Sequence, residues 1–125
     1  MLSLSIIIPT VLRIIEDHHP SSLPTTDAQT LRISARQKMV LVSTLRNGFC
    51  MELGLTHPLI VNWQVQVSGS PSSRIESSGG GYRLCGGHIG RYELSLQHEF
   101  GLKEAIRGSV APAIDWPVSV SLAAP

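Results

Sequence analysis

The sequence predicts a single α+β domain, and three observations carry that expectation. Apolar residues recur at helical spacing between Leu31 and Leu45. Apolar and polar residues alternate from Leu59 to Val67 and again from Tyr92 to Leu96. The chain of 125 residues is one domain's worth, 1–125 as a single compact unit. These features combine into a mostly antiparallel sheet of roughly five to seven short strands, one longer helix (about 26–46) and one short helix (about 99–107). An all-β sandwich is the alternative if the longer helix is really strand.

Taken in order, Ser3 to Ile8 is apolar and β-branched, Pro9 interrupts, and Val11 to Ile15 resumes, which suits two short strands or one bent one. Residues 17–24 are dense in turn formers and read as a loop. Thr25, Thr26 or Asp27 can cap the longer helix, whose stripe is Leu31, Ala35, Val42 and Leu45, and Asn47-Gly48 stops it. Met39 to Val42 fits a buried strand equally well. A hairpin there would have to turn through Ala35-Arg36-Gln37-Lys38, which holds no Gly, Asn, Asp or Pro.

From Phe49 the period is two: Phe49, Met51 and Leu53 alternate with Cys50, Glu52 and Gly54. Leu59 to Val67 is the clearest strand, with Val61, Trp63, Val65 and Val67 on one face and Asn62, Gln64 and Gln66 on the other. Residues 68–81 are rich in Ser and Gly and are expected to form a flexible loop. Tyr82 to Cys85 and Ile89 to Leu96 come next as strands joined at Gly86-Gly87-His88. Glu99 to Arg107 is the short helix, stopped by Gly108. Val118, Val120 and Leu122 alternate with Ser119 and Ser121 in a last strand that begins after Pro117.

Composition narrows the function. With 42% apolar and 15% charged residues the chain can build a core, but only 5% are aromatic, so Trp63 and Trp116 are its largest fillers. The net charge is +1. Arg32, Arg36 and Lys38 are the nearest thing to a basic patch and read as a solvated face, so nucleic acid is not expected as the main ligand. No run reaches the roughly 18 apolar residues of a membrane span. Leu2 to Leu12 contains Pro9 and lacks a basic flank, so it reads as mature structure rather than a leader. A soluble, intracellular protein is expected.

Few residues invite chemistry. Cys50 and Cys85 are expected as buried free thiols, with a disulfide as the alternative in an oxidising compartment. As a fallback thiol site, Cys50 with His57 or Cys85 with His88 forms a thiolate–imidazole pair, although neither Cys begins a predicted helix. Cys85-x-x-His88 and His18-His19 do not make the two paired clusters of structural zinc, so no metal or other cofactor is expected. Gly79-Gly80-Gly81 and Gly86-Gly87 lack the Lys-Ser/Thr of a phosphate loop and read as turns. Glu16 and Asp17 are chain neighbours rather than a facing acid–base pair.

The expectation is therefore a non-catalytic interaction or assembly module, a homo-oligomer or the partner of another protein; a small viral matrix- or coat-like subunit is one form this takes. Trp116, Pro117 and Val118 are the candidate interface, with Trp116 as an exposed anchor or, alternatively, a core filler. The alternatives are a small Cys/His-dependent hydrolase and a secreted, disulfide-stapled binding domain.

Overall fold

The computed structural model describes residues 10–24, 32–102 and 113–125. Its elements are β1 (Leu12–His18), β2 (Ser22–Pro24), β3 (Arg32–Ser43), β4 (Phe49–Leu55), β5 (Ile60–Ser70), β6 (Arg74–Ser78), β7 (Gly81–Gly86), β8 (Gly90–Leu102), β9 (Ala113–Asp115) and β10 (Val118–Ala123). All pairings are antiparallel, and the described residues contain no helix.

The α+β expectation is thus corrected to all-β. Residues 32–43 of the expected helix 26–46 form β3, residues 44–46 lead into a turn, and 26–31 lie outside the described residues. Along β3 the inward positions are Ile33, Ala35, Gln37, Met39, Leu41 and Ser43, a strict period of two that a buried Gln disguises. This strand lies between β1 and β8, so both of its hydrogen-bonding edges are used, and sheet pairing overrides local helical preference. Likewise β8 runs straight through residues 99–102 of the expected short helix, whose remainder lies outside the described residues, as does Ser3–Ile8. The expected loop 68–81 instead contains the end of β5, all of β6 and a turn at Gly79-Gly80.

Two four-stranded sheets, ordered β1-β3-β8-β5 and β10-β4-β7-β6, form the body, and β2 and β9 make a two-stranded ribbon. The chain crosses between the large sheets at β3–β4, β4–β5, β5–β6 and β7–β8, a Greek-key style of winding that interleaves their inner faces. Met39, Leu41, Leu94 and Leu96 from the first sheet meet Phe49, Met51, Leu53 and Leu84 from the second in one core. The Phe49 and Tyr92 rings meet edge to face at 4.8 Å across that core. Leu23 of β2 and Ile114 of β9 are buried in the same core, so the ribbon joins the sandwich.

Glycine makes one of these contacts possible. A Cβ on Gly86 would lie 2.5 Å from the Tyr92 ring and 2.7 Å from that of Phe49. The Tyr92 hydroxyl reaches the turn after Gly86, accepting the His88 N–H and donating to the His88 carbonyl, both at 2.6 Å.

Two β-bulges decide which side chains face inward. In β1 the register slips between Ile14 and Glu16, so Ile15 is extruded and 44% exposed, and Asp17, paired with Met39, turns to the inner side. In β5 the slip falls between Ile60 and Asn62, which extrudes Val61. Val61 therefore does not share the face of Trp63, Val65 and Val67 as the uninterrupted alternation predicts.

Candidate functional site

The inner face of the first sheet carries a row of polar groups across all four strands: Asp17 on β1, Gln37 on β3, His98 on β8 and Trp63 on β5. Gln37 and His98 are both fully buried. His98 pairs with Ala35 across the β3–β8 ladder, and this small neighbour leaves room for Gln37, one inward position further along, to reach the imidazole.

Hydrogen bonding in the row has one consistent direction. Trp63 donates its indole N–H to Nδ1 of His98 at 3.1 Å. An indole can only donate, so Nδ1 accepts and the imidazole proton sits on Nε2. Nε2 then donates to Oε1 of Gln37 (2.9 Å), and the Gln37 amide donates to Oδ1 of Asp17 (2.8 Å), at the exposed edge strand. Burial, together with the charge of nearby His19, lowers the His98 pKa from 6.5 to about 4. Both ring nitrogens are engaged, so this His has no free lone pair for a substrate proton or a metal. The row is a scaffold that satisfies buried polar groups.

Aromatic rings close over the row. Phe100 and Trp63 lie roughly parallel to the His98 ring, with centroids 5.6 and 6.1 Å away, and Trp116 meets it edge-on at 5.4 Å. His19 stacks on Trp116 at 4.6 Å, and the Trp116 backbone N–H donates to the Ser21 carbonyl. Of the candidate interface, Pro117 and Val118 are buried and Trp116 is half-buried. Trp116 packs against the core cluster as a half-buried side chain.

The cysteines correct another expectation. Cys50 and Cys85 face each other across β4 and β7 and are joined in a disulfide, so neither is a free thiol. His57 accepts the Leu59 N–H at Nδ1 in the turn before β5, and His88 is exposed in the turn before β8. Among the described residues no three His, Cys, Asp or Glu side chains cluster as metal ligands. No helix among them is long and apolar enough to cross a membrane. Arg32, Arg36 and Lys38 lie on the outer face of β3 rather than on a helix, and all three are exposed.

The sheet edges differ in how they are guarded against further pairing. β1 carries a bulge and Arg13, Glu16 and Asp17; β5 carries a bulge; β6 carries Arg74 and Glu76. β10 pairs with β4 on one side and with no described strand on the other, and its sequence Val-Ser-Val-Ser-Leu-Ala contains no charge, Pro or bulge. This edge was readable in the sequence as an uncharged alternating run, but only the strand order shows that it lies at the outside of a sheet. No protein-family profile, no curated protein and no solved structure matches the chain.

Proposed function

We propose that the protein is a non-catalytic assembly module that pairs β10 with β10 of a second copy, joining two four-stranded sheets into one continuous sheet. The observation that carries this reading is the edge itself: six uncharged residues with apolar Val118, Val120 and Leu122 alternating with small ones, without any of the devices that keep the other three edges apart. Two identical strands related by a two-fold axis pair antiparallel, which is the geometry every described strand of this protein already uses. Such pairing extends the inner face with Val118, Val120 and Leu122 and sets Ser119 and Ser121 beside their symmetry mates outside. Trp116 and Pro117 contribute by holding the start of β10 in place.

The Cys50–Cys85 bond supports a disulfide-permissive compartment over the intracellular setting expected from the sequence, and with it the stapled-domain reading over the thiol hydrolase.

Light scattering across about a hundredfold range of concentration tests the assembly, because mass action moves a dimer equilibrium over such a range. The native chain is expected to form a dimer. Ser119→Lys/Ser121→Lys, which adds edge charges without entering the core, is expected to be a monomer with an unchanged circular dichroism spectrum. A strict monomer at every concentration, or a dimer that survives both lysines, overturns the proposal.

A further inference from the structure

A second surface, on the opposite sheet from β10, carries a different inference. The outer face of β3-β8-β5 has a depression of about 230 Å³ at the end where β3 begins, rimmed by Arg32, Asn62, Gln64 and Glu99 with Gly101 in its floor. Register explains its shape. Arg32, Gly101 and Asn62 form one row across the three strands, and Ser34, Glu99 and Gln64 form the next. At the centre of the first row Gly101 supplies no side chain, and the Asn62 side chain leans over it: a Cβ at Gly101 would lie 2.8 Å from that of Asn62. The β5 bulge is what turns Asn62 to this face.

The floor is firmly held from below. Trp63 and Phe100 pair across β5 and β8 beneath the depression, and the Trp63 carbonyl accepts the Tyr82 hydroxyl at 2.7 Å. The rim, by contrast, is uncommitted. Arg32 and Glu99 are diagonal neighbours of opposite charge, yet neither is ion-paired among the described residues. The rim thus presents a guanidinium, a carboxylate and two carboxamides, all planar and all exposed.

We propose that this depression binds a single acidic sugar residue of a larger glycan. A carboxylate on the ligand takes the Arg32 guanidinium in a two-pronged contact, and vicinal hydroxyls donate to Glu99 and exchange hydrogen bonds with Asn62 and Gln64. A ligand with both an anionic group and adjacent hydroxyls uses all four. The volume is below the roughly 300 Å³ at which pockets for drug-sized ligands begin, which restricts occupancy to about one ring. Among the described residues the depression is partly open, which suits a residue still attached to a chain better than a free metabolite that must be enclosed.

Saturation-transfer NMR and titration with methyl glucuronide, methyl glucoside and glutamate as probes test this on the full chain. Methyl glucuronide is expected to bind weakly, in the millimolar range, and methyl glucoside about tenfold more weakly or not at all. Arg32→Gln is expected to weaken glucuronide binding about tenfold and Glu99→Gln about threefold, while Arg74→Gln on the other sheet leaves it unchanged. No binding of the glucuronide, binding indifferent to Arg32→Gln, or tighter binding of glutamate than of the glucuronide overturns the proposal. Because β10 lies on the other sheet, these outcomes are independent of the dimer.

Discussion

Trp63 donates to His98 at 3.1 Å between the neighbouring strands β5 and β8, and this one contact sets the hydrogen-bond polarity of the whole inner row. Since the indole cannot accept, the imidazole must be neutral with its proton on Nε2, and Gln37 must turn its carbonyl to His98 and its amide to Asp17. Protonating His98 puts a proton on Nδ1 where Trp63 already points one. The row is therefore coupled to pH.

That coupling has a definite sign. The folded pKa of about 4 lies below the unfolded value of 6.5, so between these two pH values the unfolded chain binds the extra proton. Stability from this site is fully present above about pH 6.5, declines as the pH falls, and levels off below about pH 4, with a total span of up to about 3 kcal/mol. Denaturant unfolding at intervals from about pH 7.5 to about pH 3.5 measures it. His98→Gln is expected to flatten this part of the profile, and an unchanged slope in that variant removes His98 as the cause.

Removing two bonded members of the row is expected to cost less than the sum of removing each alone. Gln37→Leu leaves the buried His98 N–H without an acceptor and is expected to lose about 1–3 kcal/mol. Gln37→Leu/His98→Leu removes both polar partners, so its loss should be smaller than the sum of the single losses. A double-mutant cycle by equilibrium unfolding reads this directly, and strict additivity means that the Gln37–His98 bond contributes nothing.

The same row explains what the sequence concealed. β4, β7, β10 and most of β5 were legible because their inward residues are uniformly apolar, as in Phe49, Met51 and Leu53. In β3 the inward Gln37 broke the period of two, and the surrounding Leu31, Ala35, Val42 and Leu45 then fell by chance at helical spacing. In β8 the inward His98 ended the visible alternation at Leu96, so Glu99 onward read as a new element. The bulges at Ile15 and Val61 each flip the facing of the residues after them, and no residue type announces them. The disulfide depends on Cys50 and Cys85 being cross-strand partners, a matter of register rather than of spacing along the chain. The rim of the outer depression was unreadable for the same reason, since Arg32, Asn62 and Glu99 come from three strands.

Two adjacent glycines should respond differently to alanine. Gly86→Ala drives a methyl into the Tyr92 and Phe49 rings and is expected to destabilise by about 1–3 kcal/mol. Gly87 has nothing among the described residues within 4 Å of where its Cβ would lie, so Gly87→Ala is expected to stay within about 0.5 kcal/mol of the parent. Thermal unfolding of the two variants compares them, and equal losses show that the ring contact at Gly86 is not limiting.

Reducing the disulfide should weaken the fold without changing it. Cys50 and Cys85 are separated by 35 residues, and closing a loop of that length restricts the unfolded chain by about 4 kcal/mol in the chain-entropy account. On either side of the bridge the β4–β7 ladder pairs Phe49 with Gly86 and Met51 with Leu84 without help from sulfur, so Cys50→Ala/Cys85→Ala should keep the near-ultraviolet spectrum while unfolding at lower denaturant. Loss of that spectrum in native buffer shows instead that the bond is required to form the sandwich.

The two tryptophans share a size class and a neighbour, His98, but differ in what their N–H groups find. Trp63 donates to His98, whereas the buried Nε1 of Trp116 has no hydrogen-bond partner among the described residues. Trp63→Phe removes the donor that Nδ1 of His98 depends on and leaves a buried acceptor unmatched, in addition to the lost ring area, for an expected loss of about 2–4 kcal/mol. Trp116→Phe also loses ring area but removes a donor that was already unmatched, and it retains an aromatic face for His19, so its net loss is expected to be below about 1 kcal/mol. The pH profile separates them further: Trp63→Phe frees Nδ1 to take a proton and should raise the His98 pKa, whereas Trp116→Phe leaves the row's hydrogen bonds intact. Histidine titration followed by NMR, alongside unfolding of both variants, checks the pair, and equal stability losses with equal His98 titrations contradict the assignment of polarity along the row.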